Sequence, residues 1–495
     1  MQANSSNVKT PLVLLCLAGL PLAGCAVGPD YATPALRLPT TWSSDRHSRP
    51  KPPQLSHWWR NLKDPLLDAL IAEAVDGNLD VAAAKARIRE ARATRRQAVG
   101  ALFPTITGSG TATESRTAAS ATGGFDVSPT TYSQYQAGFD ASWELDLFGA
   151  NRRAVEAASY GVDAAEDDLR ATLLTLVGDV ASYYIDARAY QARAALARRT
   201  GASQRQTAAL TERKLAAGSA SAVDSEKANA LAASTEATIP TYEASYQQQV
   251  HRLGVLLGRD PAALAARMAK ATAIPAPRLP LPNGIPADVL TTRPDVRKAE
   301  RQLAQYTAKI GQAEAALYPD VSLSGSVSTT ALKLGDLGKT STIGWSIGPS
   351  VSVPIFNGGK LAAAVEIAES QRDEYHVAWR SAVLSALEDV ENAIVNLDQE
   401  RLRIGSLADS AKRYGEAARL SRALYETGSN TFLDVLDAER SQFSAEDSLL
   451  ASRANVAKDY VALAKALGGG WDGEIDVSKP EVVDTGTGPH LAQSR

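Results

Sequence analysis

Apolar and polar residues alternate with a period of two in four segments of the chain. Within 135–147 every second residue is apolar, and the residues between are polar or small. The same alternation runs through 343–355 and, more faintly, through 321–327 and 105–113. Stretches of about ten residues with one apolar face are typical of transmembrane β-strands, but half-buried strands of soluble sheets alternate in the same way. The pattern predicts four strands and leaves both environments open.

A second pattern, in which apolar residues recur every three, four or seven positions, predicts very long helices. Residues 149–216 contain no proline. Seven-residue spacing occurs at Val162, Leu169, Leu176, Tyr183 and Tyr190, and steps of four and three occur at Val383, Leu387, Val390, Ile394 and Leu397. This spacing is typical of coiled coils. A helix over 149–216 would be roughly 100 Å long, which favours a tunnel-like assembly over an ordinary helical bundle.

The two halves of the chain share motifs at a nearly constant offset. Residues 98–104 (AVGALFP) recur as residues 313–319 (AEAALYP), 215 positions later. The segment 218–224 recurs at 428–434, 210 positions later. We therefore predict an internal two-fold repeat, in which each half contains a helix, two strands, a very long helix, a turn and a returning helix.

Composition and charge narrow the function. Of 495 residues, 44% are hydrophobic, which excludes a disordered chain, and the formal net charge of −3 gives no basic excess for nucleic acid. The five histidines are scattered and form no His-Glu-x-x-His motif, and two cysteines are too few for a disulfide framework. We therefore expect no metal or other cofactor and no nucleic-acid partner, and an enzyme is the less favoured interpretation.

The N-terminus has the features of a bacterial secretion signal. Lys9 precedes an apolar stretch at 11–20 that is too short to span a bilayer. The sequence LAGC at 22–25 then resembles a lipobox, so Cys25 is predicted to carry a covalent lipid. Ala26 follows, where lipoproteins of the inner membrane often have Asp, and this favours the outer membrane. The alternative is an export signal in which Cys25 is not acylated.

Four strands cannot close into a barrel. The smallest membrane barrels have about eight strands, and lipid does not tolerate an open sheet edge. If the strands cross a membrane, several copies of the chain must share one barrel. Two copies would form a narrow barrel filled by side chains, whereas three copies would form twelve strands around a lumen. The strand count leaves this choice open.

Four motifs together resemble one known family. They are residues 25–31 (CAVGPDY), 58–59 (WW), 290–296 (LTTRPDV) and 354–359 (PIFNGG). The chain resembles the TolC-like outer membrane factors, and among them the OprM-like, NodT-type efflux lipoproteins, over nearly all its mature length. The resemblance implies a membrane α+β fold. A homotrimer would form a twelve-stranded outer-membrane β-barrel, with four strands per protomer, continuous with a long periplasmic α-helical barrel.

The resemblance also implies a function without enzymatic activity. Such a protein is the exit channel of a tripartite efflux system, and exports small molecules such as drugs or toxic compounds. It is anchored by lipid in the bacterial outer membrane and extends into the periplasm. Its partners are two further copies of itself, outer-membrane lipid, a periplasmic adaptor protein and an inner-membrane efflux pump.

A periplasmic gate is implied at the turns of the long helices. The positions that match it are the constricting carboxylates Asp434 and Asp437, the apolar plug Leu433 and the latching residues Arg440, Tyr425 and Asp224. Asn430 stands where some family members have a latching Arg, so that latch is not expected here.

Ordinary helical roles compete with these gate roles. Three copies of Asp434 and Asp437 would place six carboxylates around a narrow aperture and attract cations. However, Asp434 could be the N-cap of the returning helix. Arg440 lies three residues after Asp437, so the two could form an ion pair on one helix face.

The predicted segments follow one another along the chain. They are a signal peptide (1–24), a lipid-anchored N-terminal segment (25–61), helices (62–103), a barrel hairpin (104–147), a long periplasmic helical hairpin (149–258), a proline-rich linker (259–287), helices (288–318), a second barrel hairpin (319–356), a second long helical hairpin (358–468) and a polar tail (469–495).

Three rival functions remain. Ser346 lies in Gly-Trp-Ser-Ile-Gly, which fits the nucleophile elbow of an esterase, although the alternation runs straight through it. The segment 338–340 (GKT) resembles a phosphate-binding loop, but Lys333 stands where the first glycine should be. The three rival functions are thus an esterase that uses Ser346, a pore-less, lipid-anchored periplasmic scaffold and an outer-membrane channel for protein secretion.

Overall fold

The computed structural model describes residues 26–35, 38–42, 55–118, 120–122, 125–127, 129–277 and 293–478. The predicted signal peptide and Cys25 lie outside the described residues, as do parts of the predicted linker and tail. The chain divides into two compact units. The strand unit comprises residues 1–32, 92–161 and 303–375, and the helical unit comprises residues 33–91, 162–302 and 376–495.

The strand unit contains the four-stranded sheet that the alternation predicts. The described strands of the unit are β1 (Thr105–Arg116), β2 (Ser120–Thr122), β3 (Phe125–Val127), β4 (Thr131–Glu144), β5 (Asp320–Ala331) and β6 (Ile343–Ser352). One antiparallel sheet has the order β1-β4-β5-β6, and β2 pairs separately with β3. Within this sheet, β1 and β6 are the edge strands.

The register of the sheet places the apolar residues on one face. Phe139 pairs with Val327, and Val327 pairs with Trp345. Because side chains alternate along a strand, these three side chains share a face. Phe139 is 62% exposed and Trp345 is 75% exposed. The opposite face is polar, and there Ser326 and Ser346 form a hydrogen bond of 2.9 Å between their Oγ atoms. The sheet thus has one polar face and one exposed apolar face.

The residues that directly follow Cys25 are held within the strand unit. The Val27 N–H donates to the Phe148 carbonyl at 3.1 Å. The Arg153 guanidinium donates to the carbonyls of Val27 at 3.1 Å and Gly28 at 3.0 Å. Gly28 has a φ of +90°, and a Cβ there would lie 2.2 Å from the Cα of Gly311. Only glycine fits this position, because of both the backbone angle and the close approach.

Nine α-helices are present among the described residues, and the two longest agree with the long helices that the sequence predicts. They are α1 (Pro65–Gly77), α2 (Leu79–Gly100), α3 (Ala150–Ala216), α4 (Ala222–Glu236), α5 (Thr238–Leu256), α6 (Ala265–Met268), α7 (Pro294–Ala315), α8 (Lys360–Glu426) and α9 (Phe432–Ala466). Short 3₁₀ helices occur at Trp58–Leu62, Leu334–Asp336 and Thr340–Thr342. Helices α3 and α8 each contain 67 residues. In the described part of the chain, no helix is both long and apolar enough to cross a membrane.

The returning helix of the first half is divided, which the repeat does not predict. Helix α4 ends at Glu236 and α5 begins at Thr238, whereas α9 is continuous over 35 residues. Pro240 has no N–H for the Glu236 carbonyl, and its ring clashes with that carbonyl in a regular helix. Leu450 stands 210 residues later, inside the unbroken α9. One proline therefore accounts for the difference between the halves.

Both halves of the helical unit anchor the end of the returning helix to a polar side chain. The Asn78 side chain donates to the Leu256 carbonyl at 2.8 Å and accepts from two N–H groups at the start of α2. Arg293 stands 215 residues later and donates to the Ala466 carbonyl at 3.2 Å. Arg293 also pairs with Asp295 at 2.6 Å. Burial alone would raise the pKa of Asp295, but the guanidinium outweighs this and holds it below its ordinary value.

Candidate functional site

The two long helices end in equivalent turns. Helix α3 ends at Ala216 and α8 at Glu426, and each is followed by a glycine in the left-handed region. Gly218 has a φ of +72° and Gly428 a φ of +80°. The serine after each glycine donates its N–H to a carbonyl of the last helical turn at 2.8 Å. This geometry needs glycine, because other residues adopt a positive φ only at a cost.

Asp224 and Asp434 occupy the third position of the returning helices. Ser221 is the N-cap of α4, and Asp224 completes a reciprocal capping box with it. Thr431 is the N-cap of α9, and its hydroxyl donates to Asp434 at 2.7 Å. The suggestion that Asp434 is itself an N-cap is therefore wrong, because Thr431 holds that position. At α9 neither backbone bond of a capping box forms: the Asp434 N–H has no bond to the Thr431 side chain, and the Thr431 N–H donates to the Asn430 side chain at 3.0 Å.

Four of the predicted gate residues are exposed: Leu433, Asp434, Asp437 and Arg440. Leu433 is 55% exposed. Arg440 donates to Asp437 at 3.0 Å across one turn of α9, and both side chains are more than two-thirds exposed. The structure thus contains the same-face ion pair that the spacing of these two residues allows. Because both partners lie on α9, this pair does not connect α9 to another helix.

Tyr425 is buried where the two hairpins meet. Its hydroxyl donates to the Thr211 hydroxyl of α3 at 3.3 Å, and the Lys214 ammonium lies 4.9 Å from its ring centroid. The Tyr425 ring lies 5.8 Å from that of Phe432. The buried cluster around it also contains Ala208, Ala228 and Val435. The hairpin of α3 and α4 therefore packs directly against the hairpin of α8 and α9 at the turns.

A buried carboxylate near these turns is not among the residues predicted from the sequence. Glu439 of α9 is 3% exposed. Its Oε1 accepts hydrogen bonds from the Thr207 hydroxyl at 2.8 Å and from Arg422 at 2.6 and 3.1 Å. A sequence signal for it exists, since Glu439 follows Phe432 and Val435 at the spacing of a core-facing helix stripe.

An ion pair that joins the two hairpins lies farther from the turns. Arg193 of α3 makes two hydrogen bonds of 2.7 Å to Asp447 of α9. The Tyr242 hydroxyl of α5 donates to the same carboxylate at 3.0 Å. The hydrogen bonds to Asp447 raise the pKa of Arg193, and burial together with the Asp447 charge raises the pKa of Tyr242. Three helices are thereby joined at one carboxylate.

The two enzyme-like motifs do not have the structures that their chemistry needs. Ser346 lies in the middle of β6, whereas a nucleophile elbow requires a sharp turn between a strand and a helix. Residues 338–340 lie between β5 and β6, and no long helix follows them. Among the described residues, no cluster of three or more His, Cys, Asp or Glu side chains could hold a metal ion.

Comparison with known proteins identifies the family. The model of the family described as "Outer membrane efflux protein" matches residues 70–259 and 285–469. These segments start 215 residues apart and end 210 residues apart, which are the offsets of the repeated motifs. Nodulation protein T of Rhizobium leguminosarum bv. trifolii is 36% identical over 455 residues, which cover 91% of this chain and 96% of that protein.

Two further proteins extend the comparison. The solvent efflux pump outer membrane protein SrpC of Pseudomonas putida is 32% identical over 463 residues, which cover 91% of this chain and 97% of SrpC. The solved structure of the outer-membrane channel OprN superposes with a TM-score of 0.85 at 34% identity, over 90% of this chain and 100% of OprN. The chain therefore belongs to the outer membrane efflux protein family, and it is a channel protein of the outer membrane that extends into the periplasm.

Proposed function

We propose that this protein is the exit channel of a tripartite efflux system. An inner-membrane pump supplies small molecules through a periplasmic adaptor protein, and the channel releases them outside the cell. The observation that carries the proposal is the open four-stranded sheet with one exposed apolar face, in a chain of the outer membrane efflux family. SrpC, a relative at 32% identity, is described as part of a solvent efflux pump, and this favours small molecules over secreted proteins.

The active form is a homotrimer. Both edges of the sheet, β1 and β6, have unpaired backbone groups that lipid does not tolerate. Three copies supply twelve strands, which close into a barrel with a lumen, whereas two copies leave little open space. Along α8, the apolar residues Val377, Leu384 and Leu402 are more than half exposed in the single chain. Their spacing keeps them on one helix face, which suits packing against α-helices of a neighbouring copy.

A lipid on Cys25 adds a second attachment to the outer membrane. The contacts of Arg153 with Val27 and Gly28 support this role, because they fix the chain two residues after the acylated cysteine. Stable anchoring requires more than one acyl chain or a further membrane contact. The apolar face of the sheet provides that further contact.

The channel is narrow at rest at the turns of the helical hairpins. Three copies of Asp434 and Asp437 form a ring of carboxylates that favours cations, and Leu433 narrows the same opening. The exposure of all three side chains in the single chain supports this role, because exposed side chains can face a shared opening. Tyr425 and Asp224 stabilise the two turns, and Arg440 partly balances the charge of Asp437.

Planar-bilayer conductance tests the pore and its carboxylate ring together. The purified protein should show a small conductance that prefers cations, and the double variant Asp434→Ala/Asp437→Ala should show a larger one without that preference. Glu416→Gln, which changes an exposed ion pair within α8, is the matched control and should behave as the wild type. If a folded trimer gave no conductance, the protein would be a periplasmic scaffold and the proposal would be wrong.

A further inference from the structure

Glu439 has an unusual environment for a glutamate. It is 3% exposed, and one carboxylate oxygen accepts three hydrogen bonds, one from Thr207 and two from Arg422. A carboxylate is costly to bury unless it is paired with a cation and hydrogen-bonded. The position faces the core, next to Val435 and Phe432, where an apolar residue would pack without that cost. The polar contacts therefore need an explanation other than burial.

The three partners lie on three helices and belong to both hairpins. Thr207 is on α3, nine residues before its end, and thus belongs to the first hairpin. Arg422 is on α8, four residues before its end, and Glu439 is on α9, seven residues after its start. The next contact toward the turns is that of Tyr425 with Thr211, one helical turn after Thr207. A polar seam thus joins the two hairpins immediately beside their turns.

We propose that Glu439 is a positioning residue that holds the channel in its narrow state. This inference rests on the proposed function. Arg422 of α8 donates hydrogen bonds that fix the carboxylate of Glu439 on α9. The same carboxylate accepts a hydrogen bond from the Thr207 hydroxyl of α3. Any movement that separates the second hairpin from α3 at the turns must break the bond between Glu439 and Thr207.

The surface pair of Asp437 and Arg440 has no such effect. Both residues lie on α9 and move with it, so their ion pair survives a separation of the hairpins. The structure therefore distinguishes two kinds of charged residue at the turns. Asp437 acts on ions in the opening, whereas Glu439 acts on the position of the helices.

Two near-isosteric variants test the role of Glu439. Glu439→Gln keeps the shape but removes the charge, and Thr207→Val keeps the shape but removes the hydroxyl donor. Each should increase the open-to-narrow ratio in bilayer recordings roughly tenfold, the typical effect of losing a charge-assisted hydrogen bond on a two-state equilibrium. The new amide keeps an oxygen that can accept from Thr207, so Glu439→Gln weakens this bond and Thr207→Val removes it. Because both variants act on one bond, the double variant should have less than the sum of the two single effects.

The control is an ion pair that joins the same two helices farther from the turns. Asp447→Asn breaks the pair of Asp447 with Arg193, so it should lower the stability of the protein without changing its conductance. Thermal unfolding of all variants in detergent separates the two effects. If Glu439→Gln fails to fold, Thr207→Val decides, because it removes only one hydroxyl.

Two results would overturn the inference while leaving the proposed function intact. One is a conductance of Glu439→Gln and Thr207→Val equal to that of the wild type. The other is an increase for Asp447→Asn as large as theirs, since opening would then follow general destabilisation. A wild-type trimer without any conductance would instead contradict the proposed function, and the inference would fall with it.

Discussion

The ion pair of Arg193 and Asp447 offers a quantitative test of how the two hairpins are held together. Two parallel hydrogen bonds of 2.7 Å join the guanidinium to the carboxylate, and the Tyr242 hydroxyl donates to the same group at 3.0 Å. The side chains are 22% and 18% exposed. The perturbation is Asp447→Asn, which keeps the shape of the side chain and removes its charge.

The magnitude follows from the burial of the pair. Removing one partner of a fully buried ion pair costs about 3–5 kcal/mol, because the remaining charge is left unpaired. Here each side chain is about one-fifth exposed, so water compensates part of the loss. Asparagine also keeps one acceptor oxygen, which can accept the two hydrogen bonds that Oδ1 of Asp447 accepts, from Arg193 and from Tyr242. We therefore expect Asp447→Asn to lower the free energy of unfolding by about 2–3 kcal/mol.

Chemical denaturation in detergent, followed by circular dichroism at the helical signal, measures this loss. Asp409→Asn is the control, because Asp409 pairs with Arg413 at 2.7 Å on the exposed surface of α8. An exposed pair of this kind contributes at most about 1 kcal/mol. If Asp447→Asn lowered the free energy of unfolding no more than Asp409→Asn, the pair of Arg193 and Asp447 would not hold the hairpins together.

Two further predictions concern the sheet and the pH dependence of stability. Trp345 lies on the exposed apolar face of β6. Trp345→Arg should make the free energy of membrane insertion less favourable by about 2–4 kcal/mol, the cost of an arginine near the bilayer centre. A cell-fractionation assay should therefore find less of this variant than of the wild type in the outer membrane. Burial and the hydrogen bond that Tyr184 donates to Asp64 at 2.6 Å raise the pKa of Tyr184 to about 12. The folded protein therefore retains a proton on Tyr184 that the unfolded chain loses near pH 10. The contribution of Tyr184 to the free energy of unfolding is thus complete below about pH 10 and is lost as the pH rises toward 12.

Each of these predictions has a control in the same element. Ser346→Arg changes the neighbouring residue on the polar face of β6, and it should leave insertion nearly unchanged. An equal effect of both arginines would contradict the assignment of the apolar face to lipid. Tyr184→Phe lacks the titrating hydroxyl, so its stability should fall less steeply than that of the wild type in the alkaline range. Parallel curves for both proteins would show that Tyr184 is not responsible.

Much of the local structure is predictable from the sequence. The period of two in 135–147 predicts β4, and the absence of proline from 149–216 predicts α3 almost to its ends. The sequence also contains the reason for the break between α4 and α5, because Pro240 has no N–H to donate to the helix. The repeat alone predicts one returning helix in this half. These features depend on neighbouring residues along the chain.

The candidate site is predictable only in part. The resemblance directs attention to the turns, where Tyr425 is buried, and the gate roles stay predictions. Its contact with Thr211 and the bond of Glu439 with Thr207 join residues more than 200 positions apart. Asp434 is not the N-cap, because the helix starts three residues earlier than the preference of Asp for caps suggests.

The strands, the long helices and the family follow from the sequence, because periodicity, proline placement and motifs are local properties of the chain. The pairing of strands, the contacts between helix faces and the burial of charged residues depend on the fold as a whole. A glutamate in a helical pattern can face solvent or a packed interface, and its neighbours in sequence do not specify which. The packing of one hairpin against another brings Thr207 and Arg422 to Glu439, and this arrangement makes it a candidate for control of the channel.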